Sequence, residues 1–330
     1  MPSVLAAPDK FRGTASAPEV AAAVARAARG AGWSCDEAPV ADGGEGLLEV
    51  MGGAPRFSLV KGPLGDPVEA EWRMRDDEAV VEMARASGLA LVGGADGNDP
   101  VAATTAGTGQ LIAEAVKAGA KRVLIGVGGS ATTDGGQGCL EVLEPHSRLR
   151  GIELVVACDV TTTFVDAAEV FAPQKGASPA QVALLRRRLE RLVQVYEDEF
   201  GVDVRTIPGT GAAGGLAGGL AALGATLTPG FDVVAETIEL AERMEKADLV
   251  VAGEGFLDEQ SFRGKAVGGV VRLAAELGVP ALVIVGDMDD IAVPAPVVSL
   301  VERFGRERAV GDTLACIEEV VADHLASLSQ

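Results

Sequence analysis

Histidine is nearly missing from this 330-residue chain, and its two copies, His146 and His324, stand far apart. That scarcity argues against a histidine-dependent triad and against a zinc site. His146, in a polar connection, and His324, on a C-terminal helix, are expected to be ordinary surface or packing residues. Cysteine is scarce too. Cys35, Cys139, Cys158 and Cys316 lack metal-ligand spacing and are expected to be reduced thiols in or near the core of a cytoplasmic protein. Positive charge is in short supply, with 28 Lys and Arg against 48 Asp and Glu and a formal net charge of −20. This balance argues against non-specific binding to nucleic acid or to an anionic membrane. An anionic ligand would have to be held by local basic side chains and backbone N–H groups.

Several signatures are lacking as well. The nearest string to a Walker A loop, Arg263-Gly264-Lys265-Ala266, has no leading glycine and carries Ala where Ser or Thr would hold magnesium. The protein-kinase set, a GxGxxG after the first strand and a GxSxG nucleophile elbow are also missing. One uncharged run, Ile207–Gly230, is long enough for a bilayer, but Pro208, Pro229 and its glycines read as a Gly-rich loop with a short helix. Asp9, Lys10 and Arg12 interrupt the N-terminal apolar stretch, which argues against a secretory signal. The chain is expected to be soluble. Its length points to two domains, and 48% hydrophobic residues suffice for a core without disulfides.

What is present centres on Lys121–Gly138, KRVLIGVGGSATTDGGQG. Val123–Val127 reads as a buried strand. It breaks into Gly128, Gly129, Ser130, Thr132, Thr133, Asp134, Gly135, Gly136 and Gly138. Glycines let backbone N–H groups approach a ligand, and hydroxyls and a carboxylate stand among them. The stretch reads as a pocket for a small, oxygen-rich anion.

The surrounding chain alternates strands and helices. Ser3–Ala7 is expected to be a strand, followed by a helix capped by Ser16 and ending near Gly30 or Gly32, and then by a strand over Glu37–Ala41. Val60–Pro63 and Val68–Arg75 read as a hairpin around Gly65-Asp66. The change of character near Ala54–Arg56 is the expected domain boundary. Later come strands at Ala79–Met83, Ile152–Cys158, Ala247–Ala252 and Ala281–Val285, and helices at Gly109–Ala118, Pro179–Phe200, Val267–Leu277 and Leu314–Leu325. The arginines 186–188 read as a solvated helix face. This is an α/β pattern with a parallel sheet, in which ligands sit beyond the carboxyl ends of strands. Asp9, Asp42, Asp134, Asp159, Glu254 and Asp258 fall at expected strand ends, with Lys10, Arg12, Lys175 and Lys265 in nearby loops. Carboxylates can hold Mg²⁺ and accept a proton from an alcohol, and Lys and Arg can neutralise phosphate. Phosphoryl transfer to a small hydroxy compound uses this inventory best.

The strings APDKFRG (7–13), VADGGEG (40–46), TTAGTG (104–109), GVGGSATTDGGQG (126–138), VACDV (156–160), FAPQKGAS (171–178), GAAGGLAGGL (211–220) and GEGFLDEQSFRGKAVGGV (253–270) resemble the bacterial glycerate kinase family. The resemblance implies two α/β domains with the active site in the cleft. One is a discontinuous Rossmann-like parallel-sheet domain, 1–55 and 248–330, and the other an inserted α/β domain, 56–247. It implies ATP-dependent phosphorylation of D-glycerate with Mg²⁺, most directly to 2-phosphoglycerate, and leaves a homodimer open. Carried over, Lys10 and Arg12 would hold the glycerate carboxylate or the transferring phosphoryl group, and Asp159 or Asp42 would accept the hydroxyl proton. Asp9, Glu45, Ser130, Thr132 and Asp134 would complete substrate binding. Gly128, Gly129, Gly214, Gly215 and Lys265 would serve the nucleotide, and Glu254 and Asp258 the metal. Two departures stand out: the connection 144–151 and the loop after Asp159, Val160–Phe164, are both shorter than in many members. Both are expected beside the site. The alternatives are a kinase for another short hydroxy acid and a non-catalytic metabolite-binding relative.

Overall fold

The structure is a computed structural model that describes residues 1–262 and 265–328. Arg263 and Gly264 of the Walker-like string lie outside the described residues. Among the described residues the strands are β1 (Ser3–Ala6), β2 (Ser34–Glu37), β3 (Ala54–Lys61), β4 (Pro67–Arg75), β5 (Glu78–Glu82), β6 (Arg122–Gly126), β7 (Glu153–Ala157), β8 (Thr226–Thr228), β9 (Leu249–Leu257), β10 (Ala281–Met288) and β11 (Val297–Ser299).

The chain divides into two compact units, one of residues 1–42 and 231–330 and the other of residues 43–230. The edges fall earlier than the 55/56 and 247/248 positions expected from the change of sequence character. The reason at the first edge is local. The helix Leu47–Met51 is capped by Glu82, whose Oε1 accepts the N–H groups of Gly46 and Leu48 at 2.9 and 3.0 Å. At the second, Phe231 packs where Gly269 of the helix Ala266–Leu277 has no side chain.

The first unit carries a wholly parallel sheet in the order β11-β10-β9-β1-β2. Val4, Leu5 and Ala6 are all buried, as a strand covered by helices on both faces requires. The helix Ala17–Gly30 starts with a capping box, Ser16 with Glu19, and buries Val20 and Val24 against Ile317, Val320 and Val321 of the helix Thr313–Leu328. The second strand differs from expectation. It is Ser34–Glu37, in register with Ser3–Ala6, and Pro8, which has no N–H to give, interrupts the ladder beyond. Residues 38–41 stay buried as an extended connection, with Ala38 and Val40 N–H bonded to the Ala6 and Pro8 carbonyls.

The second unit has a mixed sheet in the order β3-β4-β5-β6-β7-β8, antiparallel from β3 to β5 and parallel from β5 to β8. The long uncharged run after Ile207 becomes the short helix Leu216–Ala222 and β8. No described helix is long and apolar enough to cross a membrane. The connection 144–151 enters β7 at the end that pairs with the start of β6, Glu153 opposite Arg122. It therefore lies at the opposite end of these strands from Ser130, not beside it, which corrects the expectation.

The two glycine motifs of this unit face each other. Gly214, at φ +65°, would place a Cβ 2.0 Å from the Thr132 carbonyl oxygen, and Gly215 would place one 2.7 Å from Gly135 Cα. Gly214→Ala is expected to lose about 2–4 kcal/mol of stability by urea unfolding, from a left-handed alanine and an overpacked contact together. Gly30→Ala, at a helix end with open space around it, should be neutral or gain up to about 1 kcal/mol.

Candidate active site

In the second unit the central feature is Asp134, only 6% exposed. Its Oδ2 accepts from Thr105 N–H at 2.8 Å, Thr105 Oγ1 at 2.9 Å and Gly138 N–H at 3.3 Å, and its Oδ1 accepts from Gly136 N–H at 3.1 Å. The carboxylate thus ties the start of the helix Ala106–Lys117 to that of the helix Gln137–Val142. Both oxygens are engaged in the fold, so Asp134 holds the loop in place. Thr132 is wholly buried, with Oγ1 3.5 Å from the Ala213 carbonyl. Gly214 and Gly215 serve the packing of the two motifs. Gly128 faces Gly44 in the same way, a Cβ there lying 2.8 Å from Gly44 Cα, and Gly129 takes φ +73°. The glycines expected to cradle a ligand therefore mainly let backbone meet backbone.

Ser130 is buried, but at 9% exposed it is less enclosed than Thr132 and Thr133. Its Oγ accepts a 2.8 Å hydrogen bond from Lys175 Nζ, which also donates to the Thr132 carbonyl at 2.6 Å. Asn98 Nδ2 links the Ala131 and Lys175 carbonyls at 3.0 and 2.9 Å. Lys175 is 2% exposed, and burial pushes its ammonium down to about 7, partly opposed by the Asp134 charge. Asp159 follows β7 and accepts the Gly230 N–H at 2.8 Å. Glu45 is exposed, on the loop that Glu82 anchors. Glu82, itself 2% exposed, also pairs with Arg85 at 3.1 Å. Sequence reasoning did not single out Glu82, Asn98 or Thr105. A Glu closing β5 and a Thr within TTAGTG were the available signals.

In the first unit the loop after β1 lies against β9: Asp9 N–H reaches the Gly253 carbonyl and Gly255 N–H the Lys10 carbonyl. Lys10 Nζ stands 3.6 Å from Asp9 and 3.8 Å from Asp42. Burial raises the Asp9 carboxyl to about 6, with Lys10 pulling it down and Asp42 pushing it up. Glu254 was expected at a strand end, after Ala252; β9 extends to Leu257, so Glu254 sits inside the strand opposite Val285. Its Oε1 is buried with no partner among the described residues, and burial raises its carboxyl to about 7. Asp258 Oδ1 accepts from Ser261 N–H at 3.0 Å and stands 3.8 Å from Lys265 Nζ. Arg12 is exposed. Asp9, Lys10 and Asp42 thus lie beyond the carboxyl ends of β1 and β2, and Glu254 on the part of β9 that runs past the end of β1, on the side of the sheet where such folds bind ligands.

Comparison with known proteins decides the family. The sequence model of the glycerate kinase family matches residues 4–146 and 140–320. The chain belongs to the glycerate kinase family. The two matched segments meet at 140–146, next to the connection read as shortened. A glycerate 2-kinase of Escherichia coli K12 is 38% identical over 88% of this chain and 87% of its own. A glycerate kinase of Bacillus subtilis 168 is 38% identical over 86% of this chain and 85% of its own. A solved structure from Salmonella typhimurium LT2, provisionally called glycerate kinase 2, superposes with a TM-score of 0.87 at 32% identity, covering 99% of this chain and 98% of that one.

The buried lysine gives this family member a pH signature. Below about pH 7 Lys175 is charged in folded and unfolded chains alike, and its burial costs stability. Between about 7 and 10.5 the folded protein has released a proton that the unfolded chain keeps, so stability rises with pH across that window. The stability of Lys175→Met relative to the wild type is therefore expected to be highest at pH 6–7 and to decline towards pH 10, read as melting temperatures along a pH series.

Proposed function

We propose that this chain transfers the γ-phosphoryl group of ATP to D-glycerate, with 2-phosphoglycerate and ADP as products. The observation that carries the reading is the combination of similarity to named glycerate kinases over nearly nine-tenths of the chain with the acid and lysine set Asp9, Lys10, Asp42 and Glu254 of the first unit. Asp9 and Glu254, whose carboxyls burial raises to about 6 and about 7, are groups suited to holding a cation or moving a proton. Lys10 neutralises anionic oxygens, and Arg12, exposed beside it, adds a second cation. Asp42 or Asp159 accepts the proton of the reacting hydroxyl. Ser130 offers a hydroxyl to substrate, and Lys265 a cation to the nucleotide.

Mg²⁺ fits this chain in a restricted way. No group of three Asp, Glu, His or Cys residues able to hold a metal occurs among the described residues. Kinases commonly hold Mg²⁺ through one or two carboxylates, with phosphate and water supplying the rest. Glu254, with a buried unpartnered oxygen, is the residue that fits, and Asp258 follows four residues later, just past the end of β9. The ion would neutralise phosphate charge during transfer. A soluble, cytoplasmic enzyme is part of this reading.

The test is ADP release from Mg-ATP with D-glycerate, L-glycerate, glycolate and tartronate in parallel. D-glycerate is expected to support turnover with a 2-phosphoglycerate signal in ³¹P NMR; ADP release with none of the four acids would overturn the reading. Turnover confined to another acid would favour the second hypothesis, a kinase for a different hydroxy acid. Of Asp42→Asn and Asp159→Asn, the one that removes the base should lower kcat by about 10²–10⁴. If neither lowers kcat by even tenfold, the proton acceptor lies elsewhere.

A further inference from the structure

The turn Pro173–Lys175 delivers a lysine to a place where the fold offers little charge in return. Lys175 Nζ donates to one hydroxyl and one carbonyl, and Asp134, whose charge reaches it, already accepts four hydrogen bonds from other groups. A buried cation without a carboxylate against it is costly, and an apolar or amide side chain could fill the same space. The position is nevertheless held tightly. Asn98 bridges the Lys175 and Ala131 carbonyls, and Gly176, at φ +94°, lets the turn approach Ala95, whose carbonyl oxygen would lie 2.4 Å from a Cβ there.

The geometry at the other end of the contact explains what the lysine can do. Of the hydroxyls in the 130–133 stretch, Thr132 and Thr133 are wholly buried, whereas Ser130 is 9% exposed. Ser130 Oγ accepts from the ammonium, and no acceptor among the described residues takes its proton. That proton is left for a bound acceptor, in the field of a positive charge that Asp134 offsets only in part.

We propose that Lys175 is a positioning residue of an oxyanion subsite at Ser130, acting by orienting the serine hydroxyl and by adding positive potential behind it. The subsite takes a carboxylate or a phosphoryl oxygen. The assignment to this enzyme's own ligands rests on the kinase reading; the subsite itself does not. Its buried location is consistent with an ammonium that gives up its proton near neutrality, so that occupation by an anion would favour the charged form.

The experiment is calorimetric titration of the wild type, Lys175→Met, Ser130→Ala and the double variant with D-glycerate and, separately, with inorganic phosphate, each protein also melted. Lys175→Met is expected to weaken one of the two anions by about 10- to 100-fold, the worth of a charge-assisted hydrogen bond, while its melting temperature stays within a few degrees of the wild type or rises. Ser130→Ala should weaken the same anion, and the two losses should be less than additive because the lysine acts through the serine. Loss of D-glycerate alone assigns the substrate carboxylate, and loss of phosphate alone assigns a phosphoryl group. If Lys175→Met does not fold, Lys175→Gln, which keeps donors without charge, replaces it with the same expectation. Unchanged affinity for both anions, strictly additive losses, or no anion bound by the wild type overturns the subsite. Wild-type ADP release with D-glycerate, measured alongside, judges the kinase reading independently.

Discussion

The Asp134 carboxylate is the tie on which the second unit's site depends. Four donors from two helix starts and their leading turns converge on it, and a buried carboxylate is tolerable only when so satisfied. Because Thr105 passes the tie on, its Oγ1 accepting the Cys139 N–H at 3.0 Å, the turn after β6 is fixed at both ends. Gly135 and Gly214 then bring two backbones together, with Gly135 N–H on the Gly214 carbonyl at 3.0 Å. Ser130 inherits its position from this frame.

The first unit reaches a similar end by different means. Its sheet is parallel throughout, and its polar groups collect where β1, β2 and β9 stop being covered. Gly253, Gly255 and Gly286 allow the Asp9–Arg12 loop and the neighbouring strands to approach at distances that a Cβ would block, 2.3 to 2.9 Å. Packing that tight leaves Asp9 and Glu254 poorly hydrated, which is why both hold their protons more firmly than an exposed acid does. Carboxylates kept costly in this way become good partners for a cation or a proton.

The fold was largely legible in the sequence, because strand and helix periods, Ser16 with Glu19, and the Gly65-Asp66 hairpin are local signals. The misplaced strand at Glu37–Ala41 shows the limit: an apolar run says that a segment is buried, not that a partner strand is long enough to pair with it. Residue types at the site were legible too, but their duties were not. A carboxylate among glycines, as at Asp134, suits an exposed pocket and a buried cap equally well, so its four hydrogen bonds were not legible. The close approach of Gly214 to Thr132 was hidden for the same reason. Lys175 was seen as a loop cation, and only three-dimensional contact with Ser130 and Thr132 gives it a place. The connection 144–151 misled because closeness in sequence to the glycine motif does not say which end of a parallel sheet it joins.

The central claim is that the acidic and glycine residues after β6 build a rigid frame instead of contacting ligand directly. The most direct measurement is amide hydrogen exchange of Asp134→Asn and the wild type without ligand, following the segments 104–109 and 133–140. The account predicts that protection of both segments falls together, by at least tenfold in exchange rate, since a neutral amide cannot replace the charged acceptor of four bonds. Unchanged protection in both segments, with loss confined to substrate binding, would contradict it.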